Sequence, residues 1–212
     1  MKKLFFFIAT LTTVSTYAQV NQFGFNGGVT ISNYRSKLDG NDESGNSKAG
    51  FTFGILANFS IGKNFIIQPS VNWVQKGTKD EQTIAGTTEK VSLTTNHIEV
   101  PVNFLYYNKG FFIGAGPSIS FGISGKWKFS DGTNKSDQKV EYGSTDNDDL
   151  KAFDLGINAL TGYEFKNGVF IAANYNLGLS NLAAGTSTTS TSTLKSMYAG
   201  IKLGYLLNSN RK

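Results

Sequence analysis

The chain has 212 residues, a formal net charge of +5, 17 Phe, 9 Tyr and 24 Gly against 3 Pro, and no Cys. That length supports one domain with a real core and leaves little room for two. The absence of cysteine excludes a disulfide framework, thiolate metal sites, a Cys nucleophile and a lipid-anchored N-terminal Cys. Many aromatics and glycines with few prolines suit a β protein whose strands pack closely.

Residues 1–18 read as a secretory signal peptide. Lys2 and Lys3 form a positive start, Leu4 to Leu11 a short apolar run, and Thr16 and Ala18 the small residues of a cleavage site. The run is too short to span a bilayer as a helix, so cleavage is expected, with Gln19 opening a mature domain of residues 19–212. Without Lys2 and Lys3, 20 − 2 = 18 basic residues face 15 acidic ones, a net charge of +3. No basic cluster interleaves with aromatics, so nucleic acid is not an expected partner.

Eight segments then alternate with period two. The first is Gln22 to Ser32, with Phe23, Phe25, Val29 and Ile31 on one face, and the second is Ala49 to Ser60, with Phe51, Phe53, Ile55 and Phe59. The third runs from Phe65 to Gln75 and the fourth from His97 to Tyr106. Val91 and Leu93 lie on the opposite parity to Ile98, Val100 and Val102, which predicts a bulge between them. The fifth segment sets Phe111, Ile113, Ile119, Phe121 and Ile123 against Gly114, Gly116, Ser118, Ser120 and Gly122. The sixth, seventh and eighth are built on Phe153 to Tyr163, Val169 to Leu179 and Met197 to Leu207. No segment after the signal reads as a helix.

The connections alternate long and short. Asn33 to Lys48, Lys76 to Lys90, Lys126 to Asp149 and Asn181 to Lys195 are the long polar loops, the last carrying the Ser/Thr run of residues 185–193. Ile61 to Asn64, Tyr107 to Gly110 and Lys166 to Gly168 are short, the last with an Asn-Gly pair suited to a hairpin. All long loops therefore fall at one end. The predicted fold is an all-β, eight-stranded, antiparallel up-and-down transmembrane β-barrel with both termini periplasmic.

A soluble barrel of the same strand number would also alternate, with its apolar face inward. Charge placement decides between them. Only Glu99, Asp154, Glu164 and Lys202 interrupt the strands, all on the face that is otherwise Gly, Ser, Thr and Asn. A charge on a lipid face near midplane costs roughly 2–4 kcal/mol, so the apolar face is assigned to lipid and the polar face to the lumen. Tyr34, Trp73 and Trp127 near the long loops, and Tyr106, Tyr163 and Tyr205 near the short turns, are the expected aromatic girdles.

Several stretches resemble the PorT-like outer-membrane β-barrel family of the Bacteroidota. They are residues 97–106 (HIEVPVNFLY), 110–118 (GFFIGAGPS), 153–158 (FDLGIN), 162–168 (GYEFKNG) and 175–179 (YNLGL). The resemblance implies an outer-membrane barrel of a Gram-negative cell, and its founding member is tied to protein secretion and gliding machinery. One feature departs from the pattern: Tyr205-Leu206-Leu207 is followed by a polar tail, where the barrel-assembly signal usually ends in an aromatic residue.

The lumen of an eight-stranded barrel is filled by side chains, and charges inside it must pair. His97, Glu99, Asp154, Glu164 and Lys202 are therefore expected to form an interior polar network with Asn26, Asn72 and Asn103; a narrow ion or proton path is the competing role. The single His97 makes no multi-histidine metal site. Asp146, Asp148 and Asp149 lack EF-hand spacing, and Gly114-Ala115-Gly116 lacks the third glycine and helix of a dinucleotide site. No catalytic residue, metal site or cofactor is expected. The expected partners are outer-membrane lipid and envelope or secretion-system proteins, with the barrel itself monomeric. Two alternatives stay open: a lipid-modifying outer-membrane enzyme, which would need His97 beside a Ser at an accessible surface, and a small pore.

Overall fold

The computed structural model describes residues 20–38, 41–84, 87–131, 134–185 and 193–207. The proposed signal peptide, most of the Ser/Thr run and the polar tail lie outside them. Among the described residues there are ten strands: β1 (Val20–Leu38), β2 (Asn41–Ser44), β3 (Asn46–Ile61), β4 (Phe65–Ile84), β5 (Thr87–Asn108), β6 (Phe111–Ser130), β7 (Lys135–Lys139), β8 (Phe153–Glu164), β9 (Val169–Gly178) and β10 (Thr193–Leu207). Eight of them close a ring in the order β1-β3-β4-β5-β6-β8-β9-β10, with β10 pairing back onto β1 and every pair antiparallel. The small strands β2 and β7 extend the long-loop end, paired to β1 and β6. Closure leaves the eight-membered ring without an open edge.

The outer wall is apolar. Phe51, Ile31 and Leu203 are 63%, 60% and 60% exposed, an arrangement that water would oppose and hydrocarbon favours. Along β6 the apolar face runs from Phe111 to Ile123. At about 3.3 Å per residue and a tilt of about 40°, that is about 30 Å along the barrel axis, the thickness of a bilayer core. Tyr106, Tyr163 and Tyr205 are exposed near its short-turn rim, and Trp73 stacks on Phe53 at 5.0 Å near its other rim.

The short turns explain the register. Asn108 pairs with Phe111, leaving Lys109 and Gly110 as a two-residue loop with φ of 50° and 92°. Positive φ at both positions is the type I′ turn that matches strand twist.

The strands run further than the apolar pattern predicts. Most of Asn33 to Lys48 and of Lys76 to Lys90 is hairpin rather than loop, and β6 continues to Ser130. Past the apolar band the outer face of the sheet is polar too. The period-two contrast fades while Thr, Val and backbone pairing keep the chain extended.

The irregularity expected before Ile98 is present, but its extra residue is on the partner strand. Asn96 pairs with Ser124 and His97 with Gly122, so Ile123 on β6 is unmatched. β5 keeps its parity, and Leu93 is turned inward and buried. Above Ile123, β6 switches faces: Gly125 and Trp127 pair with inward Thr95 and Leu93, and Lys126 and Lys128 point outward. Trp127 therefore packs inward rather than in a girdle, and so does Tyr34, which is 3% exposed.

Candidate functional site

Inward residues fill the lumen in layers. At the short-turn end Leu56, Ile66, Leu105, Phe112, Phe170, Ala172 and Leu206 form an apolar plug. Glycines make room for its rings: a Cβ on Gly162 would strike Phe112, and one on Gly204 would strike Phe170. Gln22, Asn58, Gln68 and Glu164 lie at this level, with Gln22 donating to Glu164 Oε1 (3.0 Å), Asn58 to Gln22 (2.9 Å) and Gln68 to Asn58 (2.9 Å). The void enclosed here is about 10 Å³, room for about one water.

The middle layer is amide. Asn158 donates to Asn103 (2.9 Å), Asn174 to Asn158 (3.2 Å), Asn176 to Ser118 (2.8 Å) and Asn26 to Asn72 (3.4 Å). Asparagine donates and accepts at once, so such chains link buried groups without net charge, although the Asn26 and Asn174 carbonyl oxygens accept no bond among the described residues.

Above it sits the charged layer. Glu99 pairs in register with Ser120, and Ser120 with Asp154, placing two carboxylates on either side of one serine. Lys76 enters from β4 with its Nζ 3.4 Å from Glu99 Oε2, both side chains 1% exposed. The Tyr198 hydroxyl donates to Glu99 Oε1 (2.5 Å), and the Lys76 ammonium lies 5.2 Å from the Tyr198 ring centroid. The Ser196 hydroxyl donates to Asp154 Oδ2 (2.6 Å) and accepts from Lys76 at 3.5 Å. One cation thus lies among two carboxylates and a ring face, the pairing that lets charge persist away from water.

His97 completes the layer. Its Nε2 is 2.9 Å from Thr95 Oγ1 and 3.4 Å from the Tyr34 hydroxyl, and its Nδ1 is 3.3 Å from Ser120 Oγ. Hydroxyls can donate or accept, so either tautomer of the ring is satisfied.

A cap covers this layer from the long-loop end. Val140, Leu150 and Leu182 close over Tyr34 and Leu93, with Trp127, Tyr142 and Leu194 around them. Bulge-switched Gly125 leaves space for Val140, and Gly122 for the Tyr142 ring. Burial pushes the Tyr142 phenol up to about 12. The loop is clasped by its carboxylates. Thr145 donates to Asp148 Oδ2 from its amide (2.7 Å) and its hydroxyl (2.6 Å), holding that carboxyl below the usual range, and the Glu141 amide donates to Asp149 (2.8 Å).

The model of the outer membrane protein beta-barrel domain matches residues 17–184. The chain belongs to that family. It is an outer-membrane β-barrel, and its apolar wall is the surface that meets lipid. No curated protein sequence matches it. Among solved structures, it is similar to Ail, the attachment invasion locus protein of Yersinia pestis, in complex with the heparin analogue sucrose octasulfate. The TM-score is 0.51 at 15% identity, over 89% of this chain and 100% of that one. Neisserial surface protein A is similar at a TM-score of 0.44 and 13% identity, over 85% and 96%. The outer membrane protease OmpT of Escherichia coli is similar at 0.47 and 8%, over 92% and 100%. At 15% identity the likeness to Ail speaks to the fold alone.

Within this outer-membrane barrel, the residues singled out from the sequence do not form one network. His97, Glu99 and Asp154 share the charged layer. Glu164 lies at the short-turn end with Gln22, separate from them. Lys202 faces the lumen but has no hydrogen bond or ion pair among the described residues; it feels Glu99 only at longer range. The cation bonded into the layer is Lys76, which the sequence alone places in a loop. Its signal was parity: Asn72, Val74 and Lys76 share the inward face, all 1% exposed or less. Tyr34, Thr95, Ser196 and Tyr198 were also missed, because a hydroxyl carries no charge to mark it.

Proposed function

We propose that this outer-membrane barrel is non-enzymatic and sealed, a monomeric scaffold that meets an envelope or secretion-system partner through its loops or turns. In this reading the signal peptide is cleaved before Gln19, the termini and short turns face the periplasm, and the long loops face outward. The alternation of short turns with long hairpins favours that orientation. The PorT-like stretches favour an accessory role in a secretion or gliding complex of the Bacteroidota.

The observation that carries the reading is the filled lumen. An apolar plug, an amide lattice, an ion-paired layer and a loop cap follow one another along the axis. A channel needs a continuous polar path, and an enzyme needs a site that substrate reaches. Gentle detergent extraction of the tagged protein, read by mass spectrometry, tests the partner. Stoichiometric recovery of secretion or motility proteins is expected; recovery of the barrel alone would sink a stable-complex role.

The His97–Ser120 contact favours one second reading, a lipid-modifying hydrolase or acyltransferase. A serine nucleophile needs a histidine base within hydrogen-bond reach, and this pair has it. Both residues are 3% exposed or less, beneath the cap and inside the wall. Envelope lipids of a Ser120→Ala strain are expected to match those of the parent strain. A missing lipid species would establish the enzyme.

A further inference from the structure

Outside the barrel, just beyond the apolar band, three lysines converge on one serine. Lys79 on β4 pairs in register with Ser92 on β5, and Ser92 pairs with Lys128 on β6. Their neighbour Leu93 is buried inward, so this row faces outward. Two strand spacings separate Lys79 from Lys128, about 10 Å. Lys48 arrives from β3 across Gly77, where a Cβ would meet the Lys48 stem at 2.8 Å. Its Nζ donates to Ser92 Oγ (2.6 Å), Thr94 Oγ1 (2.5 Å) and Leu93 O (3.3 Å). The ammonium groups of Lys79 and Lys128 both repel it.

Acids offset this clustering only in part: Asp137 pairs in register with Lys128, but its carboxylate is bonded to Lys126 and feels Lys128 at longer range. The ion pairs nearby are Lys126 with Asp137 (3.0 Å) and Lys90 with Glu81 (3.3 Å). Among the described residues, Lys48, Lys79 and Lys128 have no carboxylate within ion-pair distance. Like charges held together with fewer counter-charges than cations favour an anion between them. The wall directly below, with Trp73, Ile98, Phe121 and Ile123, faces lipid, so the molecules lying against this patch are membrane lipids. Lys79 is six residues beyond Trp73 and Lys128 five beyond Ile123. That is roughly 12–15 Å along the axis, and lysine stems snorkel back toward a hydrocarbon boundary.

We propose that Lys48, Lys79 and Lys128, with the Ser92 and Thr94 hydroxyls, bind the phosphate groups of an outer-leaflet glycolipid. This rests on the reading that the long-loop end faces outward. A lipid so held would fix the barrel's height in the bilayer and brace the hairpin of β4 and β5.

The test is retention of diphosphorylated lipid A by the full barrel in mixed detergent micelles, measured by native mass spectrometry. The variant Lys48→Gln/Lys79→Gln/Lys128→Gln is expected to lose on the order of 100-fold in affinity, each lysine near an anionic surface being worth about fivefold. The arginine triple variant is expected to retain binding, which separates lost charge from lost fold. Replacing Lys63, Lys109 and Lys166 at the opposite end is expected to change nothing. Equal retention by the glutamine variant, or equally tight binding of dephosphorylated lipid A by the native protein, would overturn the proposal. Labelling of a Ser144→Cys variant on intact cells reads the orientation separately. A labelled cell with no phosphate-dependent binding defeats the lipid site alone, and an unlabelled cell defeats the outward reading and the proposal with it.

Discussion

The two ends of the lumen are closed by different means. At the short-turn end the plug is apolar, built from strand residues at regular inward positions such as Leu56, Leu105 and Leu206, with glycines opposite its rings. Toward the long-loop end a fully buried ion pair and two further titratable groups lie beneath a cap drawn partly from between the strands. Packing of the first kind degrades gradually when one side chain is trimmed. A charged layer fails abruptly, because removing one member leaves its partner charged and dry.

The largest expected effect follows from that contrast. Lys76→Met leaves Glu99 without its cation and is expected to cost about 3–5 kcal/mol of folding free energy, measured by urea unfolding in lipid vesicles. Adding Glu99→Leu is expected to recover most of that loss. A double variant no more stable than Lys76→Met would show that the two groups do not act as a pair.

In the plug, Leu105→Ala is expected to cost about 2–5 kcal/mol, depending on how far Phe112 and Ile66 relax into the space. Leu203→Ala, the same chemistry on the outer wall, is expected to cost much less, since lipid chains fill the gap. The same vesicle titration compares them, and equal losses would erase the distinction between lumen and wall.

The smallest effect concerns the cap. The Asp148 carboxyl is held below its usual range by hydrogen bonds from Thr145. A carboxyl lowered on folding contributes stability above its unfolded value, about 3.9, and that stability is lost as pH falls through the lower folded value. Amide exchange at Thr145 and Gly143 is expected to speed up below about pH 4 relative to its intrinsic rate. Asp148→Asn should remove that pH dependence, and an unchanged profile would show that the clasp is not ionic.

The same two ends differ in how much the amino-acid order reveals. Through the bilayer each residue meets either lipid or lumen, so period two is sharp, and the eight strands, the lipid face and the inward set of Glu99, Asp154 and His97 all follow from it. Beyond the bilayer, water bathes the outer face and the contrast disappears. Composition alone therefore places Lys76 in a loop, although it continues the inward parity of Asn72 and Val74. The sequence likewise suggests a girdle position for Tyr34 and Trp127. Tyr34 lies at an even, inward position of β1, paired in register with buried Ser196, and a single unmatched residue, Ile123, turned Trp127 inward. Lys202 was legible as inward, but register alone could not show that Lys76, three strands away through β3 and β1 to β10, takes the bonded place beside Glu99. The layer depends on contacts across the barrel, which alternation along one strand does not encode.

The central claim is that the lumen is closed from end to end. Planar-bilayer recording of the purified barrel tests it most directly. The filled lumen predicts no stepwise conductance above the bare membrane at any voltage the bilayer survives. Reproducible single-channel openings from the native protein, altered in size by Lys76→Met, would contradict it and make the charged layer part of a conducting path.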